Sequence, residues 1–161
     1  MVAERMAIQA KEDNERDNAI AAIVFCAFTL EGYLNHAGEE LIPKWNELFE
    51  NLRPKAKLVL LADRFNVDIK FGSLPFQAFG TIFEVRNQLA HPKTKKHDYR
   101  DKKGKVWLEV GTEKWPAENW ENLCKAKYAE QFVQNTKEII ELLDKKIPTE
   151  NIPAFILSVN I

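Results

Sequence analysis

Apolar residues recur every three or four positions over most of the chain. That period places them along one side of an α-helix, at about 3.6 residues per turn. From Ala3 to Glu40 the repeat is carried by Ile20, Val24, Ala27, Phe28, Leu34 and Gly38, and no Gly or Pro interrupts it before Gly32. This stretch reads as one long helix whose weak point lies near its start. Pro43 and Pro54 bracket a short helical stretch, Trp45 to Leu52. Pro54 suits the first turn of the next helix, where a missing N–H matters least and its fixed φ is already helical. That helix is predicted to reach about Phe65, followed by a loop from Asn66 to Gly72. Ser73 is a predicted N-cap, with Pro75 just inside a helix that runs to about Ala90. His91 precedes Pro92, and a residue before proline is disfavoured in α geometry, so the helix should end there. A last long helix is predicted from about Ala117 to Lys146 after Pro116. Its Tyr128, Phe132, Ile139, Ile140, Leu142 and Leu143 read as core. Pro148 and Pro153 break the tail, whose Ala154-Phe155-Ile156-Leu157 is expected to dock on the core.

The periodicity lapses between 93 and 116. Lys93, Lys95, Lys96, Arg100, Lys102, Lys103 and Lys105 outnumber Asp98 and Asp101 there. Lys103-Gly104 marks a turn, and Val106 to Val110 alternates as a short strand does. The resulting fold class is all-α: a bundle of about four to five helices with a basic loop or small hairpin near 93–116. Residues 1–161 form one domain, with a core of about 15–146 and a tail of 147–161.

Composition narrows this picture. A chain of 161 residues, 45% hydrophobic and 11% aromatic, can build a core in a single domain. A net charge of −1 argues against coating nucleic acid through bulk charge, and leaves room only for a local basic patch. Cys26 and Cys124 lack a second cysteine at motif spacing, which disfavours a zinc or redox pair; Cys26 reads as a buried free thiol. The N-terminal residues alternate acids and bases and do not resemble a signal peptide, and the most apolar run, Ala19 to Leu30, is short for a bilayer. The expectation is a cytoplasmic protein without membrane contact.

Two helices carry charge where the wheel expects apolar residues. Between Ser73 and Ala90, Phe76, Phe79, Phe83 and Ala90 form a stripe that Ile82, Val85 and Leu89 widen, and Arg86 falls inside it. In the first helix Glu31 and Asn35 interrupt the stripe in the same way. A charge on an apolar face costs several kcal/mol unless it is partnered, on the order of the penalty for a buried ion. The expected solution is that Glu31 faces Arg86 across a packed pair of helices. Such a pair either fixes helix register alone or belongs to a polar cleft that Asn35, Asn87 and His91 share.

Arg86-Asn87-Gln88-Leu89-Ala90-His91 closes that helix, with four residues between Arg86 and His91. On this motif, the all-helical pattern and the opening helix with Leu30-Glu31-Gly32-Tyr33-Leu34-Asn35, the chain resembles the HEPN superfamily, the higher eukaryotes and prokaryotes nucleotide-binding domains. The likeness spans roughly residues 15 to 146. It implies a homodimer that brings two motifs into one cleft. It also implies a metal-independent endoribonuclease of toxin–antitoxin, abortive-infection or other defence systems. The alternative within the same superfamily is an inactive module for dimerisation or for binding a nucleotide or protein. In its best-known toxin subgroup, a Tyr follows the His after one residue and is modified by a partner nucleotidyltransferase. Here Pro92-Lys93 follow His91 and the nearest tyrosine is Tyr99, which weighs against that antitoxin partner.

The residue types suit RNA cleavage through attack of the 2′-hydroxyl on its neighbouring phosphate. His91 is the candidate acid/base, imidazole being the side chain that titrates near neutrality. Arg86 is the candidate for stabilising phosphate charge, and Asn87 for orienting His91 or donating to a phosphate oxygen. Glu31 and Asn35 are candidate supports, and Lys93, Lys95 and Lys96 candidate RNA contacts. Tyr99 and Trp107 offer stacking faces. The expectation includes no metal and no cofactor: no carboxylate–histidine cluster or glycine-rich phosphate loop is evident, and His36 and His97 read as lone surface residues. A helical protein without any nucleic-acid role is the third reading.

Overall fold

The computed structural model describes residues 1–13, 16–91 and 121–147 of the chain. The proposed 93–116 hairpin, the lysines at 93, 95 and 96, His97, Tyr99, Trp107 and the 148–161 tail lie outside the described residues. Within them the architecture is an all-α bundle without a β-strand. Six α-helices occur: α1 Val2–Asp13, α2 Arg16–Leu41, α3 Trp45–Leu48, α4 Pro54–Arg64, α5 Phe76–Ala90 and α6 Ala126–Asp144.

The central element is α2, against which α1, α4, α5 and α6 all pack. Its buried residues are Ala19, Ala22, Ile23, Cys26, Ala27, Leu30, Tyr33, Leu34, Ala37 and Gly38, a three-and-four repeat sustained over the helix. By length and composition α2 is apolar enough to cross a membrane, although its run Ala19 to Leu30 alone is short for a bilayer. In the bundle much of that stretch, from Ala19 to Ala37, lies in the core, while Phe25 and Phe28 stay exposed.

The predicted first helix divides at its weak point near the start into two helices, α1 and α2. The buried side of α1 is only Ala3, Ala7 and Ala10, small side chains that let it lie close against α2. Lys137 pairs with Glu4 at 2.6 Å, and Lys11 with Glu130 at 2.8 Å. The early residue of α1 meets the late residue of α6, so these two helices run antiparallel. The Tyr33 hydroxyl donates to Asp144 Oδ1 at 2.6 Å, so the late part of α2 meets the end of α6. Several expectations are corrected. Phe28, placed in the core by the wheel, is 53% exposed and packs edge-on against exposed Phe25. Ala90 is also exposed, although Phe76, Phe79 and Phe83 of the same predicted stripe are buried. The Ser73 side chain does not cap α5. Pro75 occupies the cap position, outside the helix, and the Ser73 carbonyl accepts from Gln77 N–H at 2.8 Å. The last helix starts at Ala126, after a 3-10 turn at Glu121–Leu123 and an extended Lys125. The helical stretch after Pro43 lasts one turn, and His36 is half-buried, not a surface residue.

The turn into α3 places Lys44 in the left-handed region at φ 62°. It brings Trp45 back onto α2, where the indole covers Gly38 and is itself buried. Asn46 donates to Glu39 at 2.8 Å beside this contact.

Burial pushes the Cys26 thiol up to about 11, with the neighbouring Thr136 hydroxyl opposing it. Burial and then the Asp144 carboxylate raise the Tyr33 phenol. Both groups are therefore held protonated by folding. Their contributions to stability are intact below the unfolded values of about 8.5 for Cys and about 10 for Tyr. They are lost as pH climbs through the folded values. Chemical unfolding at neutral pH and at rising alkaline pH should show a denaturation midpoint that falls from about pH 9 upward. Tyr33→Phe should flatten the upper part of that fall; an unchanged profile would remove Tyr33 from the account.

Candidate functional site

A cleft of about 860 Å³ opens between the start of α4 and the outer side of α5, reaching Glu31 on α2. Arg86, Asn87, Gln88 and His91 line it from the end of α5, together with Phe79, Gly80, Phe83 and Glu84. The helical spacing explains this grouping. Phe79, Phe83 and Arg86 follow one another at three- and four-residue steps, while Asn87 and His91 lie one turn apart. The His91 N–H donates to the Asn87 carbonyl at 2.9 Å, and His91 then leaves helical geometry at φ −133°, ψ 64°. The last turn therefore stays closed while the imidazole stands at the exposed rim.

Arg86 is held on two sides. One guanidinium nitrogen donates to Glu31 Oε2 at 2.9 Å, linking α5 to α2. Its Cζ lies 5.2 Å from the centre of the Phe83 ring, within reach of a cation–π contact. The Arg86 and Glu31 side chains are 22% and 33% exposed, so the pair is partly desolvated and remains open to the cleft. Arg86 Nε is shielded from solvent and meets no acceptor among the described residues. A planar donor fork fixed in this way can receive an anion without reorganising first.

Asn35 stands elsewhere. It does not line the cleft; its Oδ1 accepts a hydrogen bond from the Lys57 ammonium at 2.5 Å. Lys57 is only 2% exposed. The contact ties the first turn of α4 to α2, so Asn35 supports a wall of the cleft and does not enter it. Leaving an ammonium buried without its acceptor is costly, whereas replacing it with an apolar chain of similar length is often tolerated. Asn35→Leu should therefore lower stability by about 3 kcal/mol, while Lys57→Met should cost about 1 kcal/mol or less. Equal losses in urea unfolding would show that a buried ammonium without its acceptor is not the source of the cost.

Of the residues singled out from sequence, Glu31, Arg86, Asn87 and His91 meet in one cleft, and Lys93, Lys95 and Lys96 lie outside the described residues. Sequence reasoning missed Arg53 and Lys55, which line the opposite wall on either side of Pro54. The available signal was the Arg-Pro-Lys triplet itself: a proline that starts a helix fixes the backbone from which both cations project. Among the described residues no three His, Cys, Asp or Glu side chains converge as metal ligands.

The chain matches no protein-family model, no curated protein and no solved structure. The cleft must therefore be read from its own chemistry.

Proposed function

We propose that the protein is a metal-independent endoribonuclease of the HEPN type, acting as a homodimer in a defence or toxin-like role. The observation that carries this reading is the single cleft in which a fixed arginine, an amide and an exposed histidine stand together. His91 takes the proton from the RNA 2′-hydroxyl as that oxygen bonds to phosphorus. The bond from phosphorus to the 5′-oxygen breaks, leaving a 2′,3′-cyclic phosphate, and a second acid, assigned to His91 of the other copy, protonates the departing oxygen. Arg86 stabilises the charge that accumulates on the phosphate oxygens, Glu31 holds Arg86 in place, and Asn87 orients the substrate or the imidazole. In this proposal the protein works in the cytoplasm and away from membranes. A modifying nucleotidyltransferase partner is not part of it, since Pro92-Lys93 occupy the place of that subgroup's tyrosine segment.

One observation favours the inactive binding module instead: the Arg86 charge is already engaged by Glu31 and Phe83. Incubating the purified protein with labelled RNAs in EDTA separates the two. Cleavage with cyclic-phosphate ends supports the nuclease; intact RNA across several substrates sinks it.

A further inference from the structure

Arg86 alone does not make this cleft attractive to an anion. Its charge is paired with Glu31, and Glu84 adds a second carboxylate to the lining. Among the described residues, with Arg53 and Lys55 included, three permanent cations face two carboxylates. Without those two, the permanent charges of the described lining sum to net negative and would repel a phosphodiester. Among the described residues the positive character therefore comes from a wall that the Arg86–His91 motif does not supply.

That wall is built to hold its shape. Pro54 starts α4, and the Arg53 carbonyl accepts from Ala56 N–H at 2.8 Å and Lys57 N–H at 3.1 Å. Lys57 is anchored to Asn35 of α2 at 2.5 Å, so the first turn of α4 is fixed relative to the helix that carries Glu31. The Lys55 ammonium lies 4.3 Å from the centre of the Phe71 ring, which restrains it without neutralising it. Both Arg53 and Lys55 are exposed. The volume, about 860 Å³, falls in the upper part of the range for ligand pockets, about 300–1,000 Å³.

We infer that Arg53 and Lys55 form a second phosphate subsite, which binds a backbone phosphate of single-stranded RNA next to the one held at Arg86. The assignment rests on the reading of the cleft as an RNA site, and it makes the ligand a strand with at least two phosphates in place of a mononucleotide. The strand crosses the cleft from the α4 wall to the end of α5.

Binding tests this apart from cleavage. The probe is a short fluorescent oligoribonucleotide with every 2′-hydroxyl methylated, so that 2′-attack cannot occur, and the readout is anisotropy across a salt series. Arg53→Ala/Lys55→Ala should weaken binding at least tenfold at about 0.1 M salt. It should also reduce the slope of log K against log salt by about 1.4, the loss of two contacts to a single strand. Arg53→Gln alone, which leaves the Lys55–Phe71 contact intact, should remove about half of that slope. Arg53→Lys/Lys55→Arg should restore binding. Wild type that fails to bind, or a double variant within twofold of wild type with an unchanged slope, overturns the subsite. Wild type that binds this probe with the expected slopes but leaves ordinary RNA intact retains the subsite and removes the nuclease.

Discussion

Replacing His91 with alanine should lower RNA cleavage in EDTA by about 10²–10⁴-fold, the usual contribution of a positioned proton-transfer group. The melting temperature should barely move. His91 is exposed, and its bond to Asn87 is made by the backbone N–H, which alanine retains. Surface changes of this kind generally stay within about 0.5 kcal/mol. This separation of activity from stability makes His91 a cleaner probe than Arg86. Arg86→Ala would leave Glu31 without its partner and strip a cation from Phe83, so lost activity could reflect a disturbed seam. Cleavage by the His91 variant at wild-type rate would remove the imidazole from the mechanism.

A second substitution should act on the fold with the opposite sign from the usual rule. Alanine is normally favoured over glycine inside a helix by about 1 kcal/mol. At Gly38 the added methyl would meet the Trp45 indole, whose ring atoms lie 2.3 to 2.4 Å from the place it would occupy. Trp45 cannot simply withdraw, because it is buried and packs on Phe49 with ring centres 5.9 Å apart. Overpacking of this severity costs about 3 kcal/mol or more, which outweighs the gain in helix propensity. Gly38→Ala should therefore lose about 2–3 kcal/mol in urea unfolding, or roughly 5–10 °C in melting temperature. Gly38→Ala/Trp45→Leu should lose less than the sum of its parts, because the indole that clashes is gone. Additive losses would mean that the contact is not the cause.

The same physical rule explains what was legible in the sequence and what was not. Arg86 and Glu31 could be matched because each interrupts an apolar stripe, and a charge in that position needs a partner. Lys57 gave no such signal. Its neighbours in sequence include Lys55, and nothing in one strand of letters distinguishes the lysine that is buried from the one that is exposed. The stripe pattern therefore points Asn35 toward the cleft, whereas in the fold it serves the α4 anchor. The break between α1 and α2 carries neither Gly nor Pro; its mark is the unbroken polar run from Lys11 to Asn18. Phe28 misled because a helical wheel weighs hydrophobicity and not the space available. The buried side of α1 is all alanine, and the large rings of Phe25 and Phe28 on α2 remain exposed.

The placement of α2 has a bearing on how the chain is made. Its long apolar stretch leaves the ribosome well before α6, the helix that later covers much of it. Of the helices that pack on α2, α1 alone precedes it along the chain. Domains generally form from the N-terminal side as they emerge, and α1 lies against α2 in the finished bundle. Of the helices packed on α2, the small alanine-faced α1 is thus the first made, and it can cover part of the apolar stretch before α4, α5 and α6 exist.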